Sequence, residues 1–213
     1  MSSEPGPRED PEAGGREEER ACIRRAQAGD VEAFEALVRK HRNRVFWLAH
    51  QVVANAEDAK DVTQDVLVRL WKKLKDYDDR YAFSTWLYRM TMNLAIDSLR
   101  RRARHTREVE LEEDLVPFEP RRPKAAGAPH QAAADAEVGR IFEELRRLLP
   151  PQQRAAFALR EMEGLTSEEV AEVLGVSSST VRNHLLQARR TLQAEMRRRY
   201  PEYLPASARG DRR

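Results

Sequence analysis

The stretch "LTSEEVAEVLGVSSSTVRNHLLQARRTL", residues 165–192, decides the fold. Thr166 and Glu169 stand at capping-box spacing, and Leu165 and Val170 at the spacing of a hydrophobic staple, so a helix starts here. Gly175 ends it, and Ser177 is placed to cap a second helix, with Val176 and Val181 as its staple. Two helices joined by a short turn containing glycine form a helix-turn-helix arrangement. Val181, Leu185, Ala188 and Leu192 turn one face of the second helix to a core. The opposite face carries Ser178, Ser179, Arg182, Asn183, Gln187 and Arg190, side chains that read base edges or hold phosphates. An ordinary helical hairpin with a solvated face shares the same caps, so this motif alone leaves both readings open. The basic run Arg189, Arg190, Arg197, Arg198 and Arg199 favours DNA.

Working outward, "AEVGRIFEELRRLL" is an amphipathic helix closed by Pro150. Pro151 suits the first turn of the next helix, "PQQRAAFALREMEG", which Gly164 ends. Residues 136–199 thus form a small domain of four helices, followed by a tail over 200–213. Upstream, Thr106 to Asp135 holds the acidic run "EVELEEDL", several prolines and an alanine-rich stretch, the composition of a flexible linker. As a coil it spans about 30 Å on average, so the flanking units need not touch. Residues 20–105 are helical in pattern throughout, with Gly29 and Asp30 marking a stop and a cap. Residues 1–19 are acidic, carry prolines and glycines, and read as a disordered tail. The fold class is all-α: two small helical domains, the second a helix-turn-helix.

Composition excludes more than it selects. Lys+Arg and Asp+Glu nearly cancel, 38 against 36, so the distribution of charge matters more than its sum. No stretch approaches the roughly 20 apolar residues of a membrane span, so no membrane insertion and a cytoplasmic location are expected. Cys22 is the single cysteine and reads as a small buried apolar group. Histidines 41, 50, 105, 130 and 184 are scattered without metal-ligand spacing, and phosphate-loop and nucleophile motifs are missing. Neither a cofactor, nor a metal, nor an enzymatic activity is expected.

The helix "FSTWLYRMTMNLAIDSLRRRAR", residues 83–104, has two characters. Trp86, Leu87, Met90, Leu94 and Leu99 form an apolar sector, while Arg89, Asn93, Asp97, Arg100 and Arg104 step along a different face. Tyr77, Tyr81, Phe83, Trp86 and Tyr88 place aromatic rings beside that basic stripe, which suits unpaired bases and their phosphates. The same rings on apolar spacing read equally well as core, and arginines at a helix C-terminus also satisfy the helix dipole.

"DAKDVTQDVLVRLWKKL", "AFSTWLYRMTMNLAIDSLRRR" and, after the linker, "LPPQQRAAFALREMEGLTSEEVAEVLGVSSSTVRNHLLQARRTL" together closely resemble a bacterial sigma factor of the extracytoplasmic-function group of the sigma-70 family. The resemblance covers about residues 20–104 and 137–196. It implies a factor that binds core RNA polymerase, directs it to promoters and helps melt the minus-10 region. By position, Asp61, Gln64, Asp65, Arg69 and Lys72 would face the polymerase. Tyr77, Arg80, Tyr81, Ser84, Trp86, Arg89, Asn93, Asp97, Arg100 and Arg101 would hold the minus-10 element as a single strand. The loop "KDYDDRYAFS" would capture a flipped base, with Asn93 near its pocket. Ser178, Ser179, Thr180, Arg182, Asn183, Gln187 and Arg190 would read the minus-35 element as duplex. An anti-sigma factor is the further partner the family implies. The alternative is a stand-alone helix-turn-helix regulator, which would bind duplex tightly without polymerase.

Overall fold

A computed structural model describes residues 11–108 and 129–204 of the chain. Among the described residues there are eight α-helices and no strand. The first four are α1 (Pro11–Gln27), α2 (Val31–Val53), α3 (Ala56–Lys73) and α4 (Phe83–Glu108). After them come α5 (Pro129–Arg147), α6 (Pro151–Phe157), α7 (Ser167–Leu174) and α8 (Ser178–Arg199).

Local chemistry sets most of the boundaries. α1 runs into Gly29, whose φ of 97° is open to glycine at little cost. Asp30 then caps α2, accepting from the Ala33 amide at 3.1 Å while also taking Arg25 Nε at 2.8 Å. α2 ends at Ala54 in the left-handed region, and Asn55 caps α3 by accepting from the Glu57 and Asp58 amides. The Thr166–Glu169 capping box, the left-handed Gly175 and the Ser177 cap all stand where the residues call for them. Pro151 occupies the first turn of α6, whose end opens into a single π turn, Ala158–Met162, instead of continuing as one α-helix.

Three sequence expectations are corrected. The disordered tail over residues 1–19 is helical from Pro11, because Glu19 is gripped by Lys40 Nζ at 2.8 Å and His41 Nε2 at 2.9 Å. Burial works against the Glu19 carboxylate, yet these two bases outweigh it and hold its pKa below the ordinary value. The linker expected over 106–135 is shorter at both ends, since α4 continues to Glu108 and α5 begins at Pro129. Residues 1–10, the acidic run beyond Glu108 and the chain after Leu204 lie outside the described residues. The start of the expected C-terminal tail is ordered: Tyr200 donates to Glu144 at 2.6 Å and Pro201–Tyr203 makes one 3-10 turn.

The two units, which the linker leaves free to separate, touch here. α7 lies on α4 and α6 on α2, so Leu37, Val45, Leu48, Leu87 and Met92 belong to the same apolar core as Ala155, Leu159, Val170 and Leu185. Around this core the junction is polar. Glu163 accepts from Arg44 of α2 and lies beside the buried Tyr88 phenol of α4. Burial and Glu163 push the Tyr88 phenol up to about 12. Arg146, 2% exposed, donates Nη1 to the His50 carbonyl at 2.9 Å and pairs with Glu143. Arg154 is also withdrawn from water, and burial, with Arg146 and Arg147 nearby, lowers its pKa to about 10.

Replacing Glu163 with Ala removes the acceptor of Arg44 at the junction, and should destabilise the chain by roughly 1–3 kcal/mol in urea unfolding. A second expectation concerns pH. Burial lowers the pKa of His41 and of His50, the latter helped by Arg146. The unfolded chain therefore takes up protons first, and stability falls as pH drops below the ordinary histidine value of 6.5. Thermal midpoints should be flat above about pH 7 and decline between about pH 6.5 and 5, with a shallower decline in His50→Gln.

Candidate nucleic-acid and polymerase interfaces

The residues expected to meet the polymerase lie on the outer side of α3. Asp61, Gln64, Asp65, Arg69 and Lys72 are all exposed. Val62, Val66 and Leu70 point the opposite way and are buried, which fixes this orientation. Val68 and Trp71, 52% and 48% exposed, lie within the same polar surface. Phe34 of α2 meets the Trp71 ring edge-on at 4.7 Å. Val68 and Trp71 add an exposed apolar element to this polar face, one that went unread in the sequence.

The minus-10 candidates split into a loop and a helix face. Lys73 leads into a one-turn 3-10 helix, Leu74–Asp76, after which the chain is irregular until Phe83 starts α4. The Tyr77 ring lies 5.1 Å from Trp86 and 5.3 Å from Phe83, and its hydroxyl donates to the Tyr81 carbonyl at 2.5 Å. Arg80 turns back on Asp78, donating Nε at 2.7 Å, and this bond lowers the Asp78 pKa. Tyr81, 55% exposed, faces water. Ser84 and Trp86 are half-buried at the start of α4. Farther along, Arg89, Asn93, Asp97, Arg100 and Arg101 are all exposed, and Arg100 lies 3.4 Å from Asp97. The loop and the α4 stripe therefore form one continuous arrangement of rings, amides and cations.

Two points differ from the sequence reading. Tyr88, counted among the rings beside the basic stripe, is 8% exposed and engages Glu163 at the junction instead. The missed side chains come from α1. Arg20, Arg24 and Gln27 face Tyr77, Asp78 and Asp79 across a cleft of about 380 Å³. Gln27 Nε2 donates to the carbonyls of Leu74 at 3.0 Å and Tyr77 at 3.1 Å. Nothing local in the sequence signals bonds across some fifty residues.

The minus-35 candidates sit on α8. Val181, Leu185 and Ala188 are buried against α6 and α7. Ser179, Arg182, Asn183, Gln187 and Arg190 are exposed, with Ser178 and Thr180 half-exposed in the first turn. Ser177 Oγ accepts from the Thr180 amide at 3.1 Å and contacts Ser179 Oγ and Thr180 Oγ1 at 2.8 Å, so the helix start is a compact hydroxyl cluster. Arg182 lies 3.7 Å from Glu168 of α7. The basic run is partly spent within the fold: Arg189 pairs with Glu161, Arg198 with Glu195, and Arg199 with Glu144 and Glu195.

With this geometry in view, comparison with known proteins defines the class. Residues 37–105 match the Sigma-70 region 2 family and residues 140–192 the Sigma-70, region 4 family. The chain is 32% identical over 178 residues to the RNA polymerase sigma-H factor of Pseudomonas aeruginosa, covering 83% of this chain and 92% of that one. It is 36% identical over 162 residues to the ECF RNA polymerase sigma factor SigE of Mycolicibacterium smegmatis, covering 76% of this chain and 60% of that relative. Among solved structures, CnrH in complex with the cytosolic domain of CnrY superposes with a TM-score of 0.59 at 26% identity, covering 84% of this chain and 96% of that one. The chain belongs to the extracytoplasmic-function group of the sigma-70 family. It is thus a sigma factor, and the stand-alone regulator is set aside.

The ring and the hydroxyl of Tyr77 make separable contributions. Tyr77→Phe should unfold within about 1 kcal/mol of the parent, because one exposed hydrogen bond is lost. Tyr77→Ala should lose roughly 2–4 kcal/mol with the two ring contacts and shift Trp86 fluorescence in the folded state.

Proposed function

We propose that the two helical units divide the work of transcription initiation between them. Residues 20–105 dock on core RNA polymerase through the α3 surface that carries Asp61, Gln64, Asp65, Arg69 and Lys72. The same unit holds the non-template strand of the minus-10 element along Arg89, Asn93, Asp97, Arg100 and Arg101. The Tyr77–Ser84 loop and Trp86 receive a base turned out of the stack. Residues 136–199 read the minus-35 element as duplex, with Arg182, Asn183 and Gln187 at base edges and Ser178, Ser179, Thr180 and Arg190 at phosphates. The single observation that carries this reading is the aromatic loop continuous with an exposed basic helix face, in one chain with an exposed recognition helix. Extruding a base costs a few kcal/mol, and stacking on aromatic rings returns about 1–3 kcal/mol per base.

The two elements are about 25 base pairs apart by name, roughly 85 Å at 3.4 Å per pair. A chain with α7 seated on α4 cannot span that distance, so the packed arrangement is the resting form and the units part on the polymerase. Their junction is rich in ionic groups, the kind of interface that separates readily. The protein makes no bond itself; nucleotide chemistry belongs to the polymerase, in the cytoplasm. CnrH, similar in fold, was solved in complex with the cytosolic domain of CnrY, and for this chain the protein partner proposed is an anti-sigma factor.

The test is transcription in vitro with purified core polymerase. Defined start sites should appear only when the protein is present, and their absence would end this reading. Arg182→Ala should weaken binding to minus-35 duplex by roughly 1–3 kcal/mol. Asn93→Ala should slow open-complex formation on duplex promoters and much less on templates already unpaired at minus-10.

A further inference from the structure

The loop assigned to base capture is fastened by a residue far from it in sequence. Gln27, the last residue of α1, donates Nε2 to both the Leu74 and the Tyr77 carbonyl oxygens, at 3.0 and 3.1 Å. These two carbonyls bracket the point where the 3-10 turn ends, because the Tyr77 amide itself donates to the Leu74 carbonyl at 3.1 Å. Tyr77 then leaves in extended geometry, φ −69° and ψ 130°. Its ring goes to Trp86 and Phe83, and its hydroxyl closes the loop on the Tyr81 carbonyl. A run of constraints therefore leads from α1 through Gln27 to the rings of the loop.

α1 is a firm base for such a clamp. Glu19 joins it to Lys40 and His41 of α2. The Cys22 thiol donates to the Ala33 carbonyl at 3.2 Å, and Ile23 and Ala26 are buried. Gln27 itself is only half-buried, and among the described residues its amide is the one side-chain group that spans from α1 to the backbone of the turn. A loop held in one form before DNA arrives loses less freedom when a base enters it, so capture is faster and more selective.

We infer that Gln27 is a positioning residue for promoter melting, setting the base-capturing loop by bridging the Leu74 and Tyr77 carbonyls from α1. This inference rests on the assignment of that loop to the flipped base. Gln27→Leu removes the donors, Gln27→Glu replaces them with acceptors facing two carbonyls, and Gln27→Lys supplies an ammonium able to donate to both.

The experiment uses the full chain assembled with core polymerase. Open-complex rates are measured on an intact promoter and on a series with single abasic sites across the non-template minus-10 strand. Gln27→Leu and Gln27→Glu should slow opening about tenfold on the intact promoter, a factor within the range set by roughly two lost hydrogen bonds. They should lose little more at the abasic position to which the parent is most sensitive. Gln27→Lys should stay within about threefold of the parent, as expected when the bridge is restored. All three should bind core polymerase as the parent does. The inference is overturned if Gln27→Leu opens the intact promoter at the parental rate. It is equally overturned if Gln27→Leu loses the same factor on every template, or if Gln27→Lys behaves like Gln27→Leu. A parent chain insensitive to all abasic sites would instead bring down the loop assignment, and this inference with it.

Discussion

Val45, Leu48, Ala49 and Val52 of α2 are withdrawn from water almost completely, and no single neighbour covers them. α3 and α4 pack along one side of α2, α1 along another, and α6 reaches it from the second unit. Full burial of each of the larger side chains is worth about 1.5–3 kcal/mol, so α2 acts as the post to which both functional surfaces are fixed. α3 presents its outer face because Val62, Val66 and Leu70 are spent on this core. α4 presents Arg89, Asn93 and Asp97 because Leu87, Met92 and Ala95 are spent there too. The sites are what remains after the helices have met this demand.

The junction between the units obeys a different rule. Arg146 is fully buried, yet its Nε, like Arg154 Nε and the Gln152 and Gln153 side-chain oxygens, has no hydrogen-bond partner among the described residues. A buried polar network that is only partly satisfied contributes less than an apolar interface of equal size. Apolar contacts of α7 on α4 hold the units together, and this polar surround keeps the hold modest. An element of that kind suits the separation of the units proposed above.

Much of this was legible in the sequence because the governing chemistry is local. Thr166, Glu169, Gly175 and Ser177 fix the helix-turn-helix through contacts of three or four residues, and helical spacing alone placed the exposed faces of α4 and α8. What stayed illegible depends on distant partners. The helix from Pro11 looks like a disordered acidic tail until Glu19 meets Lys40 and His41. Tyr88 looks like a ring for stacking bases until the fold buries it beside Glu163. Gln27 is an ordinary helix-end glutamine until the turn after α3 comes within reach.

Charge follows the same division and bears on how the chain meets DNA. The sequence holds 38 lysines and arginines, but many of the arginines near the two faces are already engaged. Arg102 pairs with Asp58, Arg189 with Glu161, and Arg198 and Arg199 with acids of α8 and α5. Arg89, Arg101 and Arg190 have no acid within ion-pair range among the described residues. Each phosphate neutralised adds about 0.9 to the salt slope of duplex binding, so a few uncommitted arginines per face give each unit a weak grip of its own. Tethering two weak sites on one large assembly multiplies them without any new contact, since the second site then binds at high effective concentration. On the proposed reading, the internal pairing of the arginines leaves each unit a weak grip that tethering on the polymerase would make effective.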